Sequence, residues 1–183
     1  MSNAVSALNS ERHEGFVTVS EAGLVGMITI RSDQASKPLV KALKDLGLSL
    51  PPKRGITEAG GLVLAWMSPD ELLLICPHDQ APAHTGALEA ALAKTHALVV
   101  NVSDARALMH VRGARADEVM MKLSPADIQQ LPAGEMRRTR FAQVPAAFWR
   151  SGREEISVIC FRSVAAYVMG LLEVSARPGS ELF

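Results

Sequence analysis

The stretch Leu62-Val-Leu-Ala-Trp-Met-Ser-Pro-Asp-Glu-Leu-Leu-Leu-Ile-Cys76 decides how this chain folds. Two apolar runs, 62–67 and 71–76, flank a Ser-Pro-Asp segment in which proline fixes φ while the serine and the aspartate can bond neighbouring backbone. This pattern predicts a β-hairpin of two hydrophobic strands. Both runs are far shorter than the roughly eighteen apolar residues that a membrane-spanning helix requires, so the sequence predicts no transmembrane segment.

The elements on either side of this hairpin complete a split-βαβ pattern. Ser36 is placed to cap a helix that Gly47 closes, because serine accepts backbone N–H bonds at helix starts and glycine adopts positive φ at helix ends. The order β-α-β-β-α-β is typical of a small antiparallel sheet with two helices on one face. The predicted elements are strand 24–31, helix 36–46, loop 48–61, the two hairpin strands, helix 82–94 and strand 97–102.

The second half of the chain repeats this order of elements without repeating the residues. Its first strand alternates apolar and polar side chains, which is typical of a half-buried strand, and Ser163 is the predicted N-cap of the last helix. The sequence therefore predicts an α+β fold of two βαββα-type layers, in which helices cover antiparallel sheets. The predicted elements are strand 106–112, helix 114–123, one long strand 137–150, strand 154–161 and helix 163–174. The predicted division is an N-terminal arm (1–20), a first α+β subdomain (21–104) and a second (105–183), packed as one compact unit.

Composition restricts the class of partner. The 183 residues include 19 basic and 19 acidic side chains, so the net charge attracts neither nucleic acid nor an anionic membrane. Only five phenylalanines and one tyrosine are available for stacking on bases, and no glycine-rich clamp is present. We therefore expect a protein or a small molecule as partner. The N-terminus lacks the apolar core of a secretory signal, which favours a cytoplasmic location.

A cluster of arginines marks the most distinctive surface candidate. Guanidinium groups on a strand can hold carboxylates in bidentate pairs, and arginine and tryptophan are enriched where interfaces carry most of their energy. The alternative, at similar odds, is a solvated strand edge whose charges discourage aggregation. The candidate interface residues are Arg137, Arg138, Arg140, Phe148 and Trp149, together with the face of the preceding strand that carries His110.

The sequence offers no catalytic, cofactor-binding or metal-binding residues. Cys76 and Cys160 lie in apolar strands far from any paired-cysteine motif, which favours buried, reduced thiols. The five histidines lack the spacing of metal ligands. The chain contains no GxSxG, P-loop or GxGxxG motif.

Several segments, taken in order, carry a family resemblance. They are Gly15-Phe16 through Gly26-Met-Ile-Thr-Ile30, Trp66-Met-Ser-Pro-Asp-Glu-Leu-Leu-Leu74, Asn101-Val-Ser-Asp-Ala-Arg106, Gly134-Glu-Met-Arg-Arg-Thr-Arg140, Ala146-Ala-Phe-Trp-Arg150 and Phe161-Arg-Ser-Val-Ala165. In these segments the chain resembles the gamma subunits of heterotetrameric sarcosine oxidases, and the likeness covers nearly the whole chain.

This resemblance implies a fold related to the folate-binding region of glycine-cleavage aminomethyltransferases. It also implies an oxidoreductase complex in sarcosine catabolism and one-carbon metabolism, which converts sarcosine to glycine with formation of hydrogen peroxide and methylenetetrahydrofolate. FAD, FMN, NAD, zinc and tetrahydrofolate would then be bound by the alpha, beta and delta subunits, and the gamma chain would be structural. The alternative is a folate-binding aminomethyltransferase-like protein that acts alone. Some folate-using relatives carry the signature Lys-Gly-Cys-Tyr-x-Gly-Gln-Glu, which is absent here, so no folate-site residue can be assigned.

Overall fold

The computed structural model describes residues 4–183 and divides into two compact units. The continuous unit comprises residues 24–103, and the split unit comprises the described residues up to 23 together with residues 104–183. The boundaries of the two units lie at 23/24 and 103/104. The predicted N-terminal arm, however, supplies two strands to the sheet of the split unit.

The structure contains eleven strands and four α-helices within the described residues. In chain order they are β1 (Arg12–Glu14), β2 (Thr18–Glu21), β3 (Val25–Ser32), α1 (Lys37–Asp45), β4 (Ile56–Ala59), β5 (Leu62–Ser68), β6 (Glu71–Pro77), α2 (Ala81–Leu92), β7 (Ala97–Asn101), β8 (Arg106–Arg112), α3 (Ala116–Leu123), β9 (Met136–Phe141), β10 (Val144–Gly152), β11 (Glu155–Phe161) and α4 (Ala165–Ser175).

The continuous unit is a five-stranded antiparallel sheet in the order β4-β5-β6-β3-β7. The predicted hairpin is confirmed as β5 and β6, and α1 begins after Ser36 and ends before Gly47, whose φ is +78°. The helices α1 and α2 bury leucines against β3, β5 and β6. The prediction of a loop over 48–61 is wrong in part, because β4 pairs with β5 there. The four residues of β4 include Thr57 and Glu58, too short and polar a run to indicate a strand.

The split unit is a six-stranded antiparallel sheet in the order β1-β2-β8-β11-β10-β9, with α3 and α4 on one face. The α+β class with helices on antiparallel sheets is confirmed. The cap of α4 differs from the prediction. A short 3-10 turn over Arg162–Val164 precedes the helix, so Val164, and not Ser163, occupies the N-cap position.

The single long strand predicted over 137–150 is wrong, because this segment folds back on itself as the β9–β10 hairpin. The chain reverses at Ala142 and Gln143. Ala142 has a φ of +48°, and its N–H donates to the Leu123 carbonyl at 2.7 Å. Tight hairpin turns usually carry glycine or asparagine at positive φ, so an alanine there gives no turn signal in the sequence.

Candidate interaction surface

The arginine cluster lies on β9, the edge strand of the split unit. Arg138 and Arg140 are exposed and two residues apart, so they project from the same face of the strand. Arg137 projects from the other face and is half-buried, with its guanidinium 2.8 Å from the Glu135 carboxylate. The exposed charge of this edge is therefore that of Arg138 and Arg140.

The sheet register brings the other predicted interface residues close to these arginines. Phe148 lies opposite Arg137 in the β9–β10 pair. Trp149 pairs with Ser157, which in turn pairs with His110. Residues directly opposite each other share a face of the sheet, so Trp149 and His110 lie on the face opposite to Phe148.

The two aromatic side chains are buried. Phe148 is 0% exposed and belongs to the core beneath α3 and α4, while Trp149 is 5% exposed and lies outside that core. Both serve the packing of the chain, so neither side chain is presented at the surface. That this region contacts a partner stays a prediction, and its exposed part consists of the β9 arginines.

His110 lies at one end of a chain of hydrogen bonds. Its Nδ1 is 2.9 Å from the Ser157 hydroxyl, which donates to the Ser151 hydroxyl at 2.7 Å. Ser151 in turn donates to the Glu155 carboxylate at 2.7 Å, and that carboxylate also accepts a bond from Arg112. Each hydroxyl has both its donor and its acceptor role filled, an arrangement that orders the sheet face.

This network does not have the geometry of an activated nucleophile. Ser157 is 1% exposed, and its proton is directed to Ser151 and not to His110. Burial lowers the pKa of His110, against the opposing influence of the Glu155 charge. Burial acts to raise the pKa of Glu155, but bonds from Ser151 and Arg112 outweigh it and the net pKa is lowered. Burial thus favours the neutral form of the imidazole, and the bonds from Ser151 and Arg112 favour the ionised form of the carboxylate beside it.

The serines and the carboxylate of this network were not predicted. They could have been found by extending the period-two pattern of β8 to its neighbour, since Ser157 and Glu155 lie opposite His110 and Arg112. Polar residues at matched positions of two paired strands indicate a shared polar patch.

Arg150, which follows the candidate residue Trp149 in the sequence, has an internal role. Its guanidinium forms a bidentate pair with Asp117 of α3 at 2.7 and 2.8 Å. It also donates to the carbonyls of Ile128 and Leu131, each at 2.8 Å. Hydrogen bonding to Asp117 raises the pKa of Arg150. The residue therefore fixes the loop that leads into β9 and is not part of the exposed surface.

The two cysteines are buried and unlinked, as the sequence predicted. Burial raises the pKa of the Cys160 thiol to about 12, and it also raises that of Cys76. A thiol with so high a pKa is a poor nucleophile, because the thiolate is the reactive form. Within residues 4–183, no cluster of three His, Cys, Asp or Glu side chains could hold a metal ion. The same residues contain no helix long and apolar enough to cross a membrane.

Comparison with known proteins agrees with this structure. Residues 31–177 match the sarcosine oxidase, gamma subunit family. The sarcosine oxidase subunit gamma of an Arthrobacter species is 30% identical over 149 residues, 79% of this chain and 72% of the relative. That of Corynebacterium sp. strain U-96 is 27% identical over 150 residues, which are 80% and 72% of the two chains.

Solved structures share the fold. A chain of the heterotetrameric sarcosine oxidase from Corynebacterium sp. U-96 superposes with a TM-score of 0.81 at 23% identity, over 87% of this chain and 83% of that one. Glycine cleavage system aminomethyltransferase T from Bartonella henselae gives 0.67 at 17% identity, over 86% of this chain and 45% of that one. The expected relation to the aminomethyltransferase fold is confirmed. By its sequence match over most of its length, this chain belongs to the sarcosine oxidase gamma subunit family.

Proposed function

We propose that this chain is the non-catalytic gamma subunit of a cytoplasmic heterotetrameric sarcosine oxidase. The complex oxidatively demethylates sarcosine to glycine, forming hydrogen peroxide and, with tetrahydrofolate, methylenetetrahydrofolate. In this proposal the alpha, beta and delta subunits hold FAD, FMN, NAD, zinc and tetrahydrofolate. The gamma chain contributes a docking surface to the assembly.

The observation that carries this proposal is the contrast between exposed arginines and buried nucleophilic side chains. Arg138 and Arg140 project from a sheet edge that Arg150 and its loop hold in place. Ser157 and Cys160, in contrast, are each 1% exposed and enclosed in the sheet. The chain thus presents arginines at its surface, while Ser157 and Cys160 are shielded from solvent.

The chemistry of the arginines indicates an acidic partner surface. A guanidinium forms two parallel hydrogen bonds with one carboxylate, so two arginines on one face can fix the orientation of a partner. Complementary charges of this kind contribute more to specificity and association rate than to affinity.

The test is the double variant Arg138→Glu and Arg140→Glu, co-expressed with the companion subunits. We expect at least a tenfold weaker association, because two attractions become repulsions. Trp149→Ala is avoided because it would leave a cavity in the fold. A matched control is Arg153→Glu with Lys53→Glu, which makes the same change in net charge at exposed positions elsewhere. Association that is equal for both double variants would contradict the proposed surface.

A second experiment separates the subunit from a folate-dependent enzyme that acts alone. The shared fold with aminomethyltransferase T supports this alternative. A protein that binds tetrahydrofolate gains thermal stability by mass action, whereas a docking subunit does not. We expect no shift of Tm at millimolar tetrahydrofolate and no sarcosine-dependent peroxide from the isolated chain. A rise in Tm of several degrees would favour the alternative.

A further inference from the structure

The free edge of β7 in the continuous unit has the features of a strand-docking site. This strand ends the sheet, with β3 as its one neighbour there. Leu98 is 53% exposed and Val100 is 39% exposed. Natural sheets usually protect an edge with charges, proline or a bulge, and an exposed apolar edge favours pairing with another strand.

The backbone of β7 shows which groups such a strand would meet. The Val102 N–H donates to the Met27 carbonyl at 2.8 Å, so this position is a hydrogen-bonded pair of the β3–β7 ladder. In antiparallel ladders such pairs alternate with residues whose N–H and C=O groups point to the other side. Leu98 and Val100 therefore bond to β3. The residues whose backbone groups point away from the sheet are Ala97, Val99 and Asn101.

A cavity of about 370 Å³ opens at the beginning of the same strand, and its lining includes Ala97 and Leu98. Arg31, Asp33 and Asp70 also line it. The Arg31 guanidinium is already engaged, at 3.3 Å from Asp70 and 3.1 Å from the adjacent Glu71. The lining also includes His96. The two carboxylates of the lining, those of Asp33 and Asp70, outnumber its one guanidinium, so the cavity complements a cationic side chain.

We propose that the β7 edge binds an extended segment of a companion subunit as an added strand. Apolar side chains of that segment cover Leu98 and Val100, and one lysine or arginine enters the cavity beside Asp33. This mode, β-augmentation, takes its affinity from backbone bonds and its specificity from pockets for alternate side chains. The inference rests on the proposed function for the identity of the partner, and it assigns a contact separate from the β9 arginines.

A second copy of this chain fits the site less well. In an antiparallel β7–β7 pair centred on Val99, residues 100–102 of one copy would lie opposite the cavity of the other. These residues are Val100, Asn101 and Val102, none of which is a cation. Charge complementarity therefore favours a different chain.

Hydrogen–deuterium exchange of the peptide that spans residues 95–103 tests the added strand. The full-length chain is measured alone and after assembly with its companion subunits. We expect about three fast-exchanging amides in the isolated chain to become protected on assembly, because added-strand bonds close the free edge.

Two substitutions test the side-chain contacts. Leu98→Lys should weaken assembly at least tenfold, because lysine on an edge strand opposes pairing. Its matched control is Val40→Lys, an apolar residue of similar exposure (44%) on α1, which should assemble normally. Asp33→Asn keeps the acceptor for the Ala35 N–H at 2.9 Å and removes the charge, and it should weaken assembly severalfold.

The outcomes separate the two proposals. Assembly that leaves the β7 amides as exposed as in the isolated chain would overturn this inference alone. Absence of any assembly would overturn the proposed function together with it. A concentration-dependent dimer of the isolated chain, with the same amides protected, would replace the companion subunit by a second copy and overturn the inference.

Discussion

The two edge strands β9 and β7 have similar backbones but side chains of contrasting chemical character. Each ends an antiparallel sheet whose helices cover one face. On β9 the exposed side chains are Arg138 and Arg140, whereas on β7 they include Leu98 and Val100. An arginine edge resists non-specific strand pairing and selects carboxylates, while an apolar edge favours an added strand. On such similar backbones, the side chains decide what a free edge can bind.

Buried residues of β10 and β7 anchor the two edges, and truncation of the β10 residue should lower the free energy of unfolding more than any other change proposed below. Phe148 lies opposite Arg137 of β9, and its side chain is fully buried in the core. Because its removal would leave a cavity, Phe148→Ala should lower the free energy of unfolding by about 3–5 kcal/mol. Val99, the buried residue of β7, is 8% exposed. Its replacement by alanine should cost about 1.5 kcal/mol, from the loss of two methyl groups. Urea unfolding of the two variants measures the difference.

The cysteines report which unit opens in these variants. Cys160 shares its core with Phe148, and Cys76 shares its core with Val99. Phe148→Ala should therefore accelerate labelling of Cys160 by a thiol reagent more than labelling of Cys76, and Val99→Ala should do the reverse. Equal acceleration of both thiols would show that the units open together, and it would contradict separate anchoring.

The next effect concerns the loop that leads into β9. Arg150→Met removes the guanidinium and leaves Asp117 and the Ile128 and Leu131 carbonyls without their donor. The pair is partly exposed, so we expect a loss of about 2 kcal/mol, less than for a fully buried ion pair. The measurement is the urea midpoint at constant m-value, with Arg153→Met as an exposed control. A midpoint like that of the control would contradict the anchoring role.

The elements with regular patterns were predictable from the sequence. The β5–β6 hairpin, the strand β8 and the helix α1 follow from apolar runs, alternation and the glycine that ends the helix. Ser36 occupies the N-cap position of α1, but its side chain forms no capping hydrogen bond there. The β9–β10 turn was not predictable, because Ala142 reaches positive φ through a tertiary bond to Leu123. Local sequence gives no account of a turn that a distant carbonyl stabilises.

For the candidate surface, the sequence predicted the exposure of the arginines correctly but not the burial of the aromatic side chains. Arg138 and Arg140 are exposed, but four consecutive buried residues, 146–149, follow on β10, so period-two alternation does not place Trp149 at the surface. The exposure of Leu98 and Val100 could not be predicted from the sequence for a related reason. A continuous apolar run such as 97–100 is typical of a strand buried on both faces, and only the sheet order identifies β7 as an edge.

A smaller effect concerns the end of β7. The Ser103 hydroxyl accepts the Met27 N–H at 2.9 Å, where β7 has just ended. Ser103→Ala should cost about 1 kcal/mol, because the hydrogen bond is lost at a partly buried site. We expect faster amide exchange at Met27 with little change in the β9–β10 hairpin. Unchanged exchange at Met27 would show that the β3–β7 ladder does not need this bond.

The smallest effect is a pH dependence that belongs to the split unit. Because the pKa of His110 is lowered in the folded chain, the unfolded chain binds a proton more readily. Stability should therefore fall as the pH drops below the unfolded histidine value of about 6.5. The lowered pKa of Glu155 acts in the same direction, but only below about pH 4.5. His110→Gln, measured by urea unfolding between pH 5 and 8, should flatten the upper part of this profile. His84→Gln, at a residue that lies outside the network, should keep the slope of the unsubstituted chain, and an equal slope in the His110 variant would mean that other groups cause the pH dependence.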